Sequence, residues 1–138
     1  MKMFRFAVNV GPSRSRAEQA GKARKLEDLG CATLTVPDHS PTFLCRCRHC
    51  SALRRGREGL RVGTNALNND FPHPLLVARE VATVDLLTEG RLQLGAGAVH
   101  MQSEYEQAGL DFDAGGTRVE RLAEACNGPG CLDSFRGE

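Results

Sequence analysis

The amino-acid sequence predicts an α/β protein with a parallel sheet, because strand-forming and helical segments alternate along the chain. Four short segments are rich in β-formers and stop at Gly, Pro, Asn or Asp residues. Two of the intervening segments carry apolar residues at helical spacing. Strands and helices in this order form right-handed parallel crossovers. We therefore expect either an open doubly wound sheet or part of a (β/α)8 barrel.

The boundaries of each element follow from local signals. The predicted strands cover residues 4–10, 32–37, 60–66 and 91–97, and the predicted helices cover 15–29, 73–89, 103–108 and 117–125. Ser15 and Glu18 form a capping box at the start of the first helix. Gly30 is a typical residue after a helix end, and Pro74 suits the first turn of the second helix.

Composition limits the partners of this chain of 138 residues. A net charge of +1 excludes a polybasic nucleic-acid binder, and the absence of Trp disfavours a base-stacking surface. No apolar run approaches the roughly 20 residues of a membrane helix. The first ten residues lack a signal-peptide pattern, so we expect a cytoplasmic location. A small-molecule substrate is the expected partner, with neither nucleic acid nor membrane.

Segment 41–58 is atypical because cysteines crowd among arginines. Cys45, Cys47 and Cys50, with His49, resemble a zinc-binding pattern. Adjacent His49 and Cys50 make poor joint ligands, however, and no second pair stands at a zinc-finger distance. We expect reduced thiols and no metal site. Residues 126–138 form a second patternless stretch, so the predicted domain covers residues 1–125 with an irregular tail.

Glycine spacing after the fourth strand resembles a dinucleotide-binding fingerprint. Gly95 and Gly97 match its first two positions, but His100 replaces the third glycine. We interpret the small residues as allowing a turn at a strand end.

Histidines follow three of the predicted strands. His39 stands beside Asp38 after the second strand, His73 follows the third strand, and His100 follows the fourth. Functional residues of parallel α/β folds collect at the carboxyl ends of strands. A histidine beside a carboxylate exchanges protons near neutral pH, so this rim is a candidate site.

Four stretches of the chain resemble the N-terminal half of luciferase-like oxidoreductases, in the branch that uses the deazaflavin coenzyme F420. They are FRFAVNVGPSRSRAEQAGKARKLEDLG, TLTVPDH, LRVGTNALNNDFPHPLLVAREVATVDLLTEGRLQLGAGAVHMQSEYEQAGLDFD and GGTRVERLAEA. The resemblance implies about half of a TIM-type (β/α)8 barrel, with the cofactor at its C-terminal mouth. It also implies hydride transfer between a small organic substrate and F420.

The resemblance also implies the site residues. His39 would lie near the redox ring as proton donor or acceptor, and Asp38 would orient it. The cofactor-binding residues would be those of a backbone bulge after the third strand and of the small-residue end of the fourth: Thr64, Asn65, Ala66, Gly97, Ala98 and Val99. Such bulges often contain a non-prolyl cis peptide, here expected at Asn65–Ala66. Val99 departs from the glycine common in the family.

Two departures from the family leave alternatives open. Segment 41–58 replaces an alanine-rich helix, and we interpret it as a compensated frameshift, which translation of the other reading frames would test. Four strands are only half of a barrel, so Val8, Leu34 and Val62, or their neighbours, would line an uncovered inner face. An FMN-dependent monooxygenase is one alternative. The other is a non-catalytic product or a half-barrel that self-associates or needs a partner chain.

Overall fold

The computed structural model describes residues 4–11, 13, 15–38 and 59–127. Its elements are β1 (Ala7–Asn9), α1 (Arg16–Asp28), β2 (Thr33–Val36), β3 (Arg61–Thr64), β4 (Leu67–Asn68), α2 (Pro74–Leu87), β5 (Leu92–Gln93), β6 (Ala96–Gly97), α3 (Gln102–Ala108) and α4 (Gly115–Asn127). All strand pairs in this part of the chain are parallel. The predicted α/β class with a parallel sheet is confirmed.

The fourth predicted strand appears as two short strands, β5 and β6, and the third ends at Thr64 and is followed by the short strand β4 just beyond its predicted end. One sheet has the order β1-β2-β3-β5, and the second pairs β4 with β6. The interruption falls at the Asn65–Ala66 peptide bond, which is cis, as the resemblance implied. Thr64 bridges the interruption, because its Oγ1 donates to the carbonyl of Gly95 (2.9 Å) and accepts from the Gly95 N–H (3.1 Å).

Both ends of α1 have the residues that the sequence predicts for a helix start and a helix end. Ser15 Oγ accepts the N–H of Glu18 at 3.1 Å, which confirms Ser15 as the N-cap of α1, while Glu18 Oε1 lies 2.8 Å from Lys22 Nζ. Gly30 adopts a left-handed backbone conformation with φ of 76°, as expected after a helix end. The second helix begins with an unexpected cap, since His73 Nδ1 accepts the Leu75 N–H at 3.2 Å. His73 therefore has a structural role at this helix start.

An aliphatic core lies between the first sheet and the helices. It comprises Ala23, Leu34, Leu60, Val62 and Val84. Leu34 and Val62 thus face α1 and α2, and Val8 is the register partner of Leu34 on the same face. The sequence left open whether these three residues or their neighbours line the inner face, and the structure places these three on the helix-covered side. Because alternate strand residues point to opposite faces, the inner face carries their neighbours instead, including the buried Thr33 and Thr35.

Several predictions fall outside the described residues. These are the role of His39, the zinc and frameshift interpretations of 41–58 with Cys45, Cys47 and Cys50, and the tail beyond residue 127. Of the cysteines that the structure describes, Cys31 is half-buried and Cys126 is exposed. In the described ranges no helix is long and apolar enough to cross a membrane, and no group of side chains could hold a metal ion.

Candidate functional site

Three segments meet at the carboxyl edge of the parallel strands. Asp38 follows β2, the Asn65–Ala66 peptide separates β3 from β4, and Ala98 follows β6. Parallel strands end at one edge of a sheet, so these segments lie on the same rim. The structure thus brings the predicted site residues to one edge, apart from His39, which lies outside the described residues.

Asp38 connects the end of β2 to β4. Its Oδ2 accepts the backbone N–H of Asn68 at 2.9 Å. Thr35 precedes it on β2 and accepts the N–H of Val10 at 2.8 Å, so β1 is joined to the same strand. The bond between the Asp38 carboxylate and the Asn68 N–H is charge-assisted, and such a bond fixes a loop more firmly than a neutral bond does. The position of the Asp38 carboxylate is therefore set by β4.

The surface formed by Ala66, Gly97 and Ala98 has small side chains only. All three residues are half-buried, and β4 and β6 hold them together through the pairing of Asn68 with Gly97. A Cβ atom at Gly97 would lie 3.2 Å from the Ala66 Cβ. Because these residues carry at most a methyl group, their backbone can approach a flat ring system closely. The chemistry of the segment therefore fits a flavin or deazaflavin ring.

Gly95 and Thr64 hold the base of this surface. A Cβ atom at position 95 would lie 2.5 Å from the Thr64 carbonyl oxygen, which no side chain tolerates. Thr64 is buried and Asn65 is exposed. Val99 is also buried, so its side chain packs inside the protein. The glycine-rich sequence at 95–97 therefore serves close approach of two strands, which sharpens the interpretation that small residues allow a turn here.

A cluster around Tyr105, which the sequence did not predict, lies beside this edge. The Tyr105 cluster comprises Asn68, Asp70, Phe71, Tyr105, Phe112 and Arg118. Tyr105 is only 1% exposed, and its hydroxyl lies 2.8 Å from Asp70 Oδ2 and 3.5 Å from Asn68 Oδ1. Its ring makes edge-to-face contacts with Phe71 and Phe112, both at 5.0 Å between centroids. Tyr105 therefore joins α3 to the end of β4.

The surroundings of Tyr105 keep its hydroxyl protonated. Removal from water raises the pKa of Tyr105 above its ordinary value, and the hydrogen bond to the Asp70 carboxylate raises it further. Contacts with Arg118 and Asn68 act in the opposite direction but do not reverse the shift. The phenol thus remains a hydrogen-bond donor to Asp70 across the neutral pH range.

Arg118 connects α4 to the carboxyl end of β6. Its Nη1 donates to the carbonyl of Val99, and its Nε donates to the carbonyl of Asp113 at 3.1 Å. The guanidinium carbon lies 4.2 Å from the centroid of the Phe112 ring. Carbonyl dipoles and the face of an aromatic ring offset the cost of burying this cation, which is 8% exposed.

A groove of about 710 Å³ lies next to the Tyr105 cluster. Residues 69–75 line it together with Arg121, Glu124 and Ala125. Arg121 Nη2 lies 2.7 Å from Asp113 Oδ2 and 3.4 Å from Asp70 Oδ2. The groove is also lined by His73, whose Nδ1 caps α2. None of its lining residues belongs to the surface formed by Ala66, Gly97 and Ala98. Because His39 lies outside the described residues, the rim of three histidines stays a prediction.

Two sequence signals point to the Tyr105 cluster in retrospect. Tyr105 is the single tyrosine of the chain, and it lies within a short polar helix that has no other buried residue. Arg118 is the buried residue of an amphipathic helix, where an aliphatic side chain is usual. Neither signal identifies the partners at the strand ends, because Tyr105 and Asp70 lie 35 positions apart in the sequence and Arg118 and Val99 lie 19 apart.

Comparison with known proteins agrees with this arrangement. The family model for luciferase-like monooxygenases matches residues 1–128. Among curated proteins, an F420-dependent glucose-6-phosphate dehydrogenase of Kribbella flavida is 29% identical over 134 residues. That match covers 87% of this chain and 40% of the relative, so the chain spans well under half of the length of this relative.

Solved structures show the same fold. The monooxygenase RslO1 from Streptomyces bottropensis superposes with a TM-score of 0.71 at 23% identity, covering 88% of this chain and 41% of that chain. The oxygenating constituent of 3,6-diketocamphane monooxygenase from Pseudomonas putida, in complex with FMN, gives a TM-score of 0.68 at 16% identity, covering 88% and 39%. The fold is thus a partial TIM-barrel-like unit, and the chain belongs to the luciferase-like monooxygenase family, whose members use F420 or FMN.

Proposed function

We propose that the chain takes part in hydride transfer between a small organic substrate and coenzyme F420. The observation that carries the proposal is the meeting of Asp38, the Asn65–Ala66 peptide and the Gly97–Ala98 segment at one edge of the sheet. The identity with a relative named as F420-dependent favours F420 over FMN.

Each site residue has a proposed role. The deazaflavin supplies hydride acceptor and donor chemistry when bound. Ala66, Gly97 and Ala98 would lie against its ring, while Thr64, Asn65 and Val99 would fix the backbone around that surface. Asp38, held by the Asn68 N–H at 2.9 Å, would orient the following His39 as proton donor or acceptor.

Cofactor titration tests this proposal. Wild-type protein should quench the fluorescence of F420 at lower concentrations than are needed for FMN binding. Gly97→Val would fill the small-residue surface, because a Cβ there already meets the Ala66 Cβ at 3.2 Å. We expect F420 affinity to fall by about tenfold or more, an effect of overpacking a contact surface.

Gly116→Val is the matched control, since a Cβ at Gly116, in α4, meets nothing within 4 Å. This variant should bind F420 as the wild type does. Tighter binding of FMN by the wild-type protein would instead support the flavin-dependent monooxygenase. Binding of neither cofactor would overturn the proposal.

We also propose, as a second function, association with another chain through β1. This strand is the first of the sheet order and has one neighbour, β2, among the described residues. Phe6 beside it is 68% exposed, and Phe4 is 92% exposed. Strand edges with exposed apolar side chains recruit other strands. The occupant would be a second copy or a separate chain that supplies further β/α units.

Light scattering after size-exclusion chromatography tests this association. The wild-type chain should elute as a dimer or larger species, and Phe6→Lys should shift it toward monomer because a charge opposes edge pairing. Leu86→Lys is the control, since Leu86 is a similarly exposed apolar residue on α2. A wild-type monomer with a cooperative thermal transition would contradict the proposal.

A further inference from the structure

We propose that Tyr105 and Arg118 are positioning residues that hold the two cofactor-contacting segments in register. The inference rests on the proposed function, in which residues 64–66 and 97–99 form the ring-binding surface. Neither residue is part of that surface. Each acts through a backbone group or side chain that it holds in place.

The strand pairing alone leaves these segments weakly fixed. β2 and β3 share four register pairs, whereas β4 and β6 share two. Ladder bonds near the interruption are the Leu67 N–H to the Gly95 carbonyl at 2.7 Å and the Asn69 N–H to the Gly97 carbonyl at 3.2 Å. A pair of two-residue strands buries little and pairs few groups, so side chains must supply the remaining constraint.

Arg118 supplies the constraint on the β6 side. Its guanidinium binds the carbonyl of Val99, the residue that follows Ala98. The same guanidinium is fixed at the carbonyl of Asp113 and against the Phe112 ring at 4.2 Å. Because the planar fork makes two directed bonds from one rigid group, it determines where the Val99 carbonyl lies.

Tyr105 supplies the constraint on the β4 side. Its hydroxyl donates to Asp70 at 2.8 Å, and the Asp70 N–H donates to Asn68 Oδ1 at 3.0 Å. Asn68 in turn donates its backbone N–H to Asp38 Oδ2. A continuous chain of hydrogen bonds therefore runs from Tyr105 to Asp38, at the end of β2.

The contact between the two side chains couples both constraints. The Arg118 guanidinium carbon lies 6.0 Å from the centroid of the Tyr105 ring, and both residues pack against Phe112. Loss of either side chain should therefore disturb the β4 end and the β6 end together. The physical consequence is a looser ring-binding surface on an otherwise intact sheet.

The test uses the conservative variants Tyr105→Phe and Arg118→Lys in the full chain. Tyr105→Phe removes one hydroxyl and keeps the ring contacts, and Arg118→Lys keeps the charge and loses the fork. The matched control is Thr88→Val, which removes an equally buried hydroxyl at the far end of α2 that bonds Val84 and Asp85.

The first measurement is amide hydrogen exchange in the unliganded protein. Both conservative variants should raise exchange at the Asn68 and Asn69 amides by about tenfold, the effect of one lost hydrogen bond of ordinary strength. The amide of Cys31, which bonds the Leu26 carbonyl at 3.0 Å, should stay unchanged. Thr88→Val should leave all three amides unchanged even where it lowers the melting temperature.

The second measurement is the F420 affinity of the same proteins, which should fall about tenfold in both conservative variants and stay constant in the control. Unchanged Asn68 and Asn69 exchange in both variants would overturn the inference, as would an equal effect of Thr88→Val. Failure of the wild type to bind either cofactor would remove the proposed function, while the exchange data would still decide whether Tyr105 and Arg118 position this edge.

Discussion

The aliphatic core stabilises the four-stranded sheet and the Tyr105 cluster holds the β4–β6 pair, and they do so by different kinds of interaction. The core packs Leu34 and Val62 of the strands against Ala23 and Val84 of the helices through contacts that have no preferred direction. The cluster joins its members by hydrogen bonds from a phenol and a guanidinium to defined oxygen atoms. Burial of apolar area stabilises the first, and directed bonds locate the second.

The two regions therefore serve different purposes: the aliphatic core stabilises the fold, and the Tyr105 cluster positions the candidate site. The aliphatic core lies between the sheet and helices α1 and α2, whereas the Tyr105 cluster lies beside the carboxyl edge where Asp38 meets β4. A site needs atoms held within a fraction of an ångström, which directed bonds provide better than apolar packing. Damage to the core should therefore unfold the chain, and damage to the cluster should loosen its edge.

The largest expected effect is that of Leu34→Ala in the aliphatic core. Leu34 is fully buried, so the substitution should lower the free energy of unfolding by about 2–5 kcal/mol through lost burial and a residual cavity. Chemical denaturation monitored by circular dichroism measures the change. Leu76→Ala, at a half-exposed position of α2, should change the same quantity by less than about 1 kcal/mol.

Equal losses for the two leucine variants would contradict the placement of the core between sheet and helices. In that case Leu34 would lie on the inner face of the sheet, a placement that the alternation along β2 also allows.

The sequence predicted most of the framework because the relevant signals are local. Ser15 and Glu18 are three residues apart, and their bond needs only a helix start. Alternation along β2 likewise shows that Leu34 and Val36 share a face. It does not show which face the helices cover, because period two is the same for both faces. That is why the sequence left open whether Leu34 and Val62 or their neighbours line the inner face.

The site was predictable only in part, and for a different reason. The positions of Asn65, Ala66 and Gly97 came from resemblance to a family, and the cis peptide at Asn65–Ala66 agrees with it. The bond between Asp70 and Tyr105 spans 35 positions in the sequence. No periodicity or spacing rule connects two such residues, so the Tyr105 cluster required the folded structure.

A smaller effect is expected for Thr64→Val at the junction of the two regions. The Thr64 hydroxyl both donates to and accepts from Gly95, so its removal takes away the acceptor of the Gly95 N–H and one of the two donors to the Gly95 carbonyl, which keeps the Leu67 N–H. The cost should be about 1–3 kcal/mol in the free energy of unfolding. Val and Thr have side chains of nearly the same volume, so altered packing contributes little to the loss of stability.

Thr83→Val is the control for this substitution, because the Thr83 hydroxyl bonds the Arg79 carbonyl at an exposed position of α2. It should change the free energy of unfolding by at most about 0.5 kcal/mol. If both threonine variants lose the same stability, Thr64 does not bridge the interrupted strands and the sheet is held there by other groups.

The smallest expected effect is the alkaline titration of the Tyr105 cluster. The chain has one Tyr and no Trp, so phenolate absorbance near 295 nm reports Tyr105 alone. Its pKa is raised above the ordinary value of 10.0, chiefly by burial, so the folded protein binds the phenol proton more tightly than the unfolded chain does. The resulting stability is present below pH 10.0 and is lost as the pH rises through the pKa of the folded state.

Asp70→Asn tests which part of this shift is electrostatic. The carboxylate raises the pKa of Tyr105 through its hydrogen bond and its charge, whereas burial acts independently of that charge. The variant should therefore titrate at lower pH than the wild type but still above the same chain in denaturant. Identical titration of Asp70→Asn and wild type would show that the phenol does not donate to Asp70 in solution, and the chain of bonds from Tyr105 to Asp38 would then be broken at its first link.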